Sequence, residues 1–198
     1  MDGAERVRFQ SRTPATFRAL FQNLERLESD SVDAHLFMPE NRVGPLPVVV
    51  ISVGSLGLGS GRESLYAGAL VAADIAVLVV DSFGSRGFNE TVSDQGRISF
   101  AASCADSFYA LLRLASDPRF DRRRIGLLGY SRGGRSVLLA NDERLHRAML
   151  GQAAPFAAYV ALYPSVWLRW ENPRPSTAPM LIALGGVLIL RTPATVRA

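Results

Sequence analysis

Short, continuous apolar runs recur along this sequence, and they constrain its fold more than any other feature. Each has the length of a β-strand, and because apolar residues do not alternate with polar ones, both faces of each strand are expected to be buried. The runs occupy residues 46–52, 75–81, 124–128, 157–163 and 179–184. Helical patterns separate them, at residues 62–73, 96–116 and from Ser131 to about Arg147. This alternation predicts an α/β fold with a doubly wound, mostly parallel sheet.

Two earlier segments, 6–10 and 32–38, alternate polar and apolar residues. Such alternation is typical of strands with one solvated face, so we expect antiparallel strands at one edge of the sheet. No repeat or linker interrupts the pattern. A chain of 198 residues therefore suits a single domain spanning 1–198.

Composition argues against several classes of protein. No apolar run approaches the ~20 residues that span a bilayer, and the charged N-terminus does not resemble a signal peptide, so we expect no membrane partner and a cytoplasmic location. The single cysteine, Cys104, excludes an intrachain disulfide, and the two histidines leave little for a metal site. We therefore expect neither a metal nor a cofactor.

All 22 basic residues are arginine. This looks like a compositional bias rather than a surface selected to bind phosphates. The densest group lies within 119–124, between a predicted helix and a predicted strand. A nucleic-acid patch is conceivable there, but we expect no nucleic-acid partner.

The most informative motif is Gly129-Tyr130-Ser131-Arg132-Gly133, which has the pattern G-x-S-x-G and lies between a predicted strand and a predicted helix. A serine at such a turn adopts a strained backbone that exposes its hydroxyl, and the flanking glycines allow the strand and helix to approach closely. The N–H of Arg132 would then face a developing oxyanion at the positive end of the helix. The motif predicts Ser131 as a nucleophile. The alternative is a glycine-rich turn that contains serine by chance.

A second glycine-rich segment, residues 53–61, follows the apolar run 46–52. In folds with this type of nucleophile, the loop at this position supplies the other oxyanion N–H. We predict the backbone of Ser55 for that role, with Leu56 as the near alternative. A mobile glycine loop without function is the other interpretation.

The same loop, with Asp81 ending the next strand, raises the alternative of a dinucleotide site. The spacing disagrees with it, because Arg62 or Ser64 stands where the third glycine of GxGxxG belongs. A phosphate-binding GxxxxGK[ST] also fails, since Ser60 occupies the lysine position. Asp81 itself is expected to be structural, either fixing the following turn or pairing with Arg86.

Three segments together resemble the dienelactone hydrolase family of α/β-hydrolases: VDSFGSRGF at 80–88, GYSRGG at 129–134 and ALYPSVW at 161–167. The resemblance extends from about residue 30 to 186. It implies hydrolysis of small carboxylic esters or lactones through a Cys or Ser nucleophile, an Asp and a His. Ser131 matches the family's nucleophile, and Ser55 and Arg132 match its oxyanion donors. Val53 departs from the family, whose serine members often have His there.

In this fold the catalytic residues occur in the order Ser, acid, His. No Asp or Glu follows Glu171, and no His follows His146. His146 would lie about four turns along the helix that Ser131 begins, and His35 belongs to an early edge strand. We expect neither histidine to be the general base, so the triad Asp and His are absent from this sequence.

The residues after Gly186 are apolar at 187–190 and resemble the family again at 192–194. We interpret this as an altered or truncated reading frame that lacks the last strand and helix, or as a diverged non-catalytic protein. Loss of these elements would uncover a sheet edge and favour self-association. Tyr130, Phe83, Tyr163 and Trp167 either line the site or pack in the core.

The sequence thus predicts a serine hydrolase of the dienelactone hydrolase type, impaired by the missing acid and histidine. The alternative is a non-catalytic protein of the same fold that binds a partner through its uncovered sheet edge.

Overall fold

A twisted mixed sheet forms the centre of the computed structural model, which describes residues 3–22, 24–40, 43–165, 171–185 and 187–191. Eight strands are present in these ranges: β1 (Glu5–Arg12), β2 (Ser29–Phe37), β3 (Leu46–Ser52), β4 (Ala76–Asp81), β5 (Phe120–Tyr130), β6 (Ala158–Leu162), β7 (Met180–Leu184) and β8 (Val187–Arg191). Their order across the sheet is β1-β2-β4-β3-β5-β6-β7-β8.

Five α-helices connect the strands: α1 (Phe17–Gln22), α2 (Arg62–Val71), α3 (Phe100–Ala115), α4 (Arg132–Ala140) and α5 (Glu143–Leu150). Short 3-10 turns occur at Leu24–Arg26, Gly57–Ser60 and Gly84–Arg86. None of the helices in the described ranges combines the length and the apolar character that a membrane span requires.

The predicted fold class is confirmed. Strands β4, β3, β5, β6 and β7 run parallel to one another. The two early strands, β1 and β2, are antiparallel and lie at one edge, as their alternating pattern predicted. The single-domain organisation over 1–198 stays a prediction.

Two apolar clusters cover the two faces of the sheet. The larger contains the buried sides of α3, α4 and α5, including Phe108, Val137 and Leu145. The smaller lies mainly under α2 and includes Ala67, Val79 and Tyr130. Strands β3 and β4 are buried on both faces, which explains why their sequences are continuous apolar runs.

Two helix boundaries differ from the predictions. The helix predicted over 131–147 is divided, because Asp142 caps the start of α5 by accepting a hydrogen bond from Arg144 N–H. The long helix begins at Phe100 rather than near 96, since Ser99 Oγ accepts from Ala102 N–H at 2.9 Å. Both boundaries are set by N-cap residues that the apolar periodicity does not reveal.

An antiparallel strand forms the C-terminal edge of the described sheet. Strand β8 pairs with β7 in the opposite direction, unlike the parallel strands before it. Leu184 is paired with Val187, so two residues connect the strands and no helix fits between them. The edge strand on this side of the described sheet is therefore β8.

A buried ion pair anchors α3 to the segment after β4. Arg86 Nη1 and Nη2 each lie 2.9 Å from an oxygen of Asp106, and Ser11 Oγ donates to the same carboxylate at 2.5 Å. The predicted pairing of Asp81 with Arg86 is therefore wrong. Asp81 instead fixes the turn, as the other prediction had it, by accepting from Gly84 N–H at 2.8 Å.

Asp106→Asn should lower the free energy of unfolding by about 3 kcal/mol, because it leaves a buried guanidinium without its counter-charge. Urea denaturation followed by circular dichroism measures this loss. Asp121→Asn is the matched control, since its partner Arg124 is half exposed and such pairs contribute little. Equal losses in the two variants would show that the buried pair has no special role.

Candidate active site

The carboxyl ends of the parallel strands meet at one edge of the sheet, and Ser131 lies there, directly after β5. Its N–H donates to Leu162 O at the end of β6, at 3.0 Å. Ser52, the last residue of β3, is paired with Gly129. The nucleophile motif is therefore held from both sides by neighbouring strands.

The backbone of Ser131 is strained, with φ 53° and ψ −116°. Positive φ is uncommon for a residue with a side chain and costs free energy that the surrounding structure must supply. Helix α4 begins at the next residue, Arg132, so Ser131 stands at the positive end of the helix dipole. The strained strand-to-helix turn predicted from the G-x-S-x-G motif is thus present.

Close backbone approach explains the glycines of this turn. A Cβ on Gly133 would overlap the carbonyl of Ser52, and a Cβ on Gly129 would overlap the carbonyl of Gly133. Gly54 is similarly restricted, since a Cβ there would lie 2.9 Å from the ring of Tyr130. Strand β3, its following loop and helix α4 are in backbone contact around Ser131.

The loop after β3 carries the other predicted oxyanion residue. Ser55 O accepts from Thr91 N–H at 2.7 Å, which ties this loop to the segment before α3. The loop and turn hydrogen bonds of the described residues leave the N–H groups of Ser55 and Leu56 without a backbone acceptor. Arg132, as the first residue of α4, likewise has an N–H with no intrahelical acceptor. Ser55 and Leu56 both remain candidates.

A buried carboxylate lies beneath the nucleophile turn. Glu63 is fully buried, and its Oε1 accepts hydrogen bonds from Ser60 Oγ, at 2.6 Å, and from the Tyr130 hydroxyl. Burial, and then the hydrogen bond to Glu63, raises the pKa of Tyr130. The side chain next to Ser131 is therefore a neutral, anchored tyrosine.

The aromatic residues expected near the site divide into two groups. Phe83 is buried in the core cluster under α2, so packing explains it. Tyr163 is 40% exposed, follows β6, and has a positive φ of 35°. Its hydroxyl lies 3.4 Å from that of Tyr66, and both rings contact Tyr130. Trp167 lies outside the described residues.

Neither histidine is near Ser131. His35 lies on β2, three strands from β5, which corresponds to roughly 14 Å across the sheet. His146 lies beyond the nine residues of α4, a length of about 14 Å, and its Nε2 is 3.0 Å from Ala153 O. Burial lowers the pKa of both histidines. The expectation that neither serves as the base is consistent with these positions.

A cavity of about 480 Å³ lies at the opposite end of the sheet from Ser131. Its lining includes His146, Phe156 and Ser176. In the described part of the chain, no three His, Cys, Asp or Glu side chains are grouped as metal ligands would be.

Two residues of the site were not found from the sequence. Gln95 and Glu63 both make hydrogen bonds to the loop after β3. Gln95 lies in a polar stretch that reads as an ordinary loop, and Glu63 reads as a residue of the first turn of α2. Only contacts between distant segments reveal them.

Comparison with known proteins identifies the family. A family model described as esterase FrsA-like matches residues 9–151. The chain belongs to this FrsA-like esterase family. Esterase FrsA of Vibrio vulnificus strain YJ016 is 32% identical over 113 residues, which are 56% of this chain and 25% of that protein. The chain spans about a quarter of the length of the curated relatives that it matches.

Solved structures agree on the fold. A dienelactone hydrolase from Klebsiella pneumoniae aligns with a TM-score of 0.58 at 18% identity, covering 90% of this chain and 72% of its own. A dienelactone hydrolase-like promiscuous phosphotriesterase from metagenomic libraries aligns with a TM-score of 0.57 at 19% identity. The alignment covers 91% of this chain and 68% of the phosphotriesterase chain. The predicted resemblance to dienelactone hydrolases is confirmed, and the family model adds FrsA-like esterases to it.

Gly133→Ala should destabilise this FrsA-like chain by about 3 kcal/mol, because the new methyl group meets a fixed backbone carbonyl. Gly68→Ala is the matched control. Position 68 is exposed on α2 with no atom near the added Cβ, so this variant should gain about 0.5–1 kcal/mol. Urea denaturation of both proteins measures the difference, and a tolerated alanine at 133 would contradict the close approach.

Proposed function

We propose that this chain is a serine hydrolase of small carboxylic esters or lactones, with Ser131 as its nucleophile. The observation that carries the proposal is the strained backbone of Ser131 directly before the first turn of α4. Such strain is typical of turns that present a reactive side chain, and the N–H of Arg132, in the first turn of α4, follows Ser131 directly. Membership of an esterase family supports the same reaction class.

The proposed reaction begins with attack of Ser131 Oγ on the ester carbonyl, while a base removes the hydroxyl proton. The carbonyl oxygen becomes an oxyanion that accepts hydrogen bonds from the N–H groups of Ser55 and Arg132. Collapse expels the alcohol and leaves an acyl group on Ser131. Water then releases the acid and restores the serine. No metal or cofactor enters these steps.

The proposed reaction needs a general base, and neither histidine can supply it. His35 and His146 are both too far from Ser131 to take its proton. The recorded partners of the Ser131 backbone are the backbone groups of Leu162, Arg135 and Ser165, and the adjacent Tyr130 is anchored to Glu63. None of these groups is a base at neutral pH. We therefore infer that this chain by itself has impaired activity, because loss of the histidine removes most of the rate enhancement of such a triad.

Imidazole in solution should restore part of the missing step. We expect hydrolysis of a short-chain activated aryl ester to accelerate with neutral imidazole concentration, by about tenfold or more beyond the reaction of imidazole alone. Ser131→Ala should show only the background reaction, since no nucleophile remains. Steady-state absorbance at several imidazole concentrations measures both proteins.

The contrasting result separates the two functional classes. Identical rates for the wild type and Ser131→Ala at every imidazole concentration would favour a non-catalytic protein of the same fold. In that case β8, as the edge strand of the sheet, would be the first surface to test for a partner.

A further inference from the structure

One side chain bridges the two residues proposed to form the oxyanion hole. Gln95 Nε2 donates to Ser55 Oγ at 3.1 Å, and Gln95 Oε1 accepts from Arg132 Nη1 at 2.9 Å. The backbone carbonyl of Gln95 accepts from the same guanidinium nitrogen at 3.2 Å. The loop after β3 and the start of α4 are therefore linked through a single residue.

The chemistry of the partners fixes the orientation of this amide. A guanidinium has only donors, so the amide oxygen must face Arg132. The amide nitrogen then faces the Ser55 hydroxyl, which has lone pairs to accept it. Ser55 Oγ also lies 3.3 Å from Gln95 Oε1, so the hydroxyl can donate to that oxygen as well. A carboxylate at position 95 could therefore still accept from both Ser55 and Arg132, and the difference from an amide is its charge.

Arg132 carries a buried charge, and among the described residues no acid is recorded as its partner. Its side chain is only 2% exposed. The recorded acceptors of its guanidinium are the two oxygens of Gln95 and the carbonyl of Ile98. It also lies over the ring of Phe100, 4.2 Å from the ring centre, and its Nε has no partner among the described atoms.

A second cation, Arg135, adds to the uncompensated positive charge around Arg132. The guanidinium of Arg135 lies 4.2 Å from the centre of the same Phe100 ring. Burial, and then the charge of Arg135, lowers the pKa of Arg132 to about 10. Buried charges are normally paired with an opposite charge, since desolvation is costly. A fold that leaves this one uncompensated keeps a buried positive charge on the residue that follows Ser131.

We propose that Gln95 is a positioning residue that holds Ser55 against Arg132, and that it is an amide because the site requires the Arg132 charge to stay uncompensated for an oxyanion. This inference rests on the proposed role of Ser131. A glutamate at position 95 would retain the hydrogen bond to Arg132, but it would neutralise the field that favours negative charge on the substrate.

Butylboronic acid tests this without a general base. Its boron accepts a bond from Ser131 Oγ, the hydroxyl proton passes to solvent, and the resulting tetrahedral boronate carries the negative charge. Titrations followed by ¹¹B NMR, which separates tetrahedral from trigonal boron, give a dissociation constant for each variant. Gln95→Glu, Gln95→Met and Ser131→Ala are compared with the wild type. Gln22→Glu, which adds the same charge on exposed α1, is the control.

We expect Gln95→Glu to weaken the adduct by about tenfold, less than the loss of a whole oxyanion donor, while its melting temperature stays equal to or above that of the wild type. Gln95→Met should weaken both the adduct and the fold, because it breaks both hydrogen bonds at constant size. Gln22→Glu should bind like the wild type. A purely structural role predicts instead that adduct affinity follows melting temperature in every variant.

Two results overturn the inference in distinguishable ways. If Gln95→Glu forms the Ser131 adduct as tightly as the wild type, the charge argument is wrong and the proposed nucleophile stands. If the wild type forms no adduct, or if Ser131→Ala forms one equally well, Ser131 is not the reactive group, and both the proposed function and this inference fail.

Discussion

The backbones of β3, β5 and α4 are in direct contact at the junction between β5 and α4, and this close approach determines the rest of the site. The carbonyls of Ser52 and Gly133 occupy the space that side chains at positions 133 and 129 would need. Because helix, strand and neighbouring strand are so close, Ser131 is forced into its positive-φ conformation, and the N–H of Arg132 faces outward from the first turn. The sheet pairs Ser52 with Gly129 and Tyr130 with Leu162, so the strain is held by hydrogen bonds on both sides.

Two charged side chains are buried around this turn. Glu63 anchors Tyr130 from one side, and Arg132 contacts Gln95 from the other. The Glu63 carboxylate and the Arg132 guanidinium are thus both buried beside the turn at Ser131, yet they are not paired with each other in the recorded contacts. Such arrangements cost stability and are typical of sites at which charge develops during a reaction.

The proposed oxyanion donors and the two histidines lie in different parts of the described structure. Ser55 and Arg132 are linked through Gln95 beside the turn at Ser131, whereas His35 lies on β2 and His146 on α5. After β7, where the acid of this fold class belongs, the chain turns back through Gly185 into β8. A short hairpin occupies the sheet position of a strand that is normally reached through a helix, and it satisfies the hydrogen-bonding edge of β7 without supplying an acid.

The sequence by itself determined the fold class and the nucleophile turn. Continuous apolar runs required strands buried on both faces, and G-x-S-x-G between a strand and a helix required the turn at Ser131, because both signals are local. The sequence also contains Gly185-Gly186, a pair typical of a two-residue hairpin, which was not interpreted as one. Tertiary structure decided the rest. The cap at Asp142, the pairing of Arg86 with Asp106, and the bridge from Gln95 to Ser55 and Arg132 depend on which distant segments meet. Gln95 lies 37 positions from Arg132 and 40 positions from Ser55 in the sequence. No local pattern encodes such contacts, because only the packing of the sheet and helices brings those segments together.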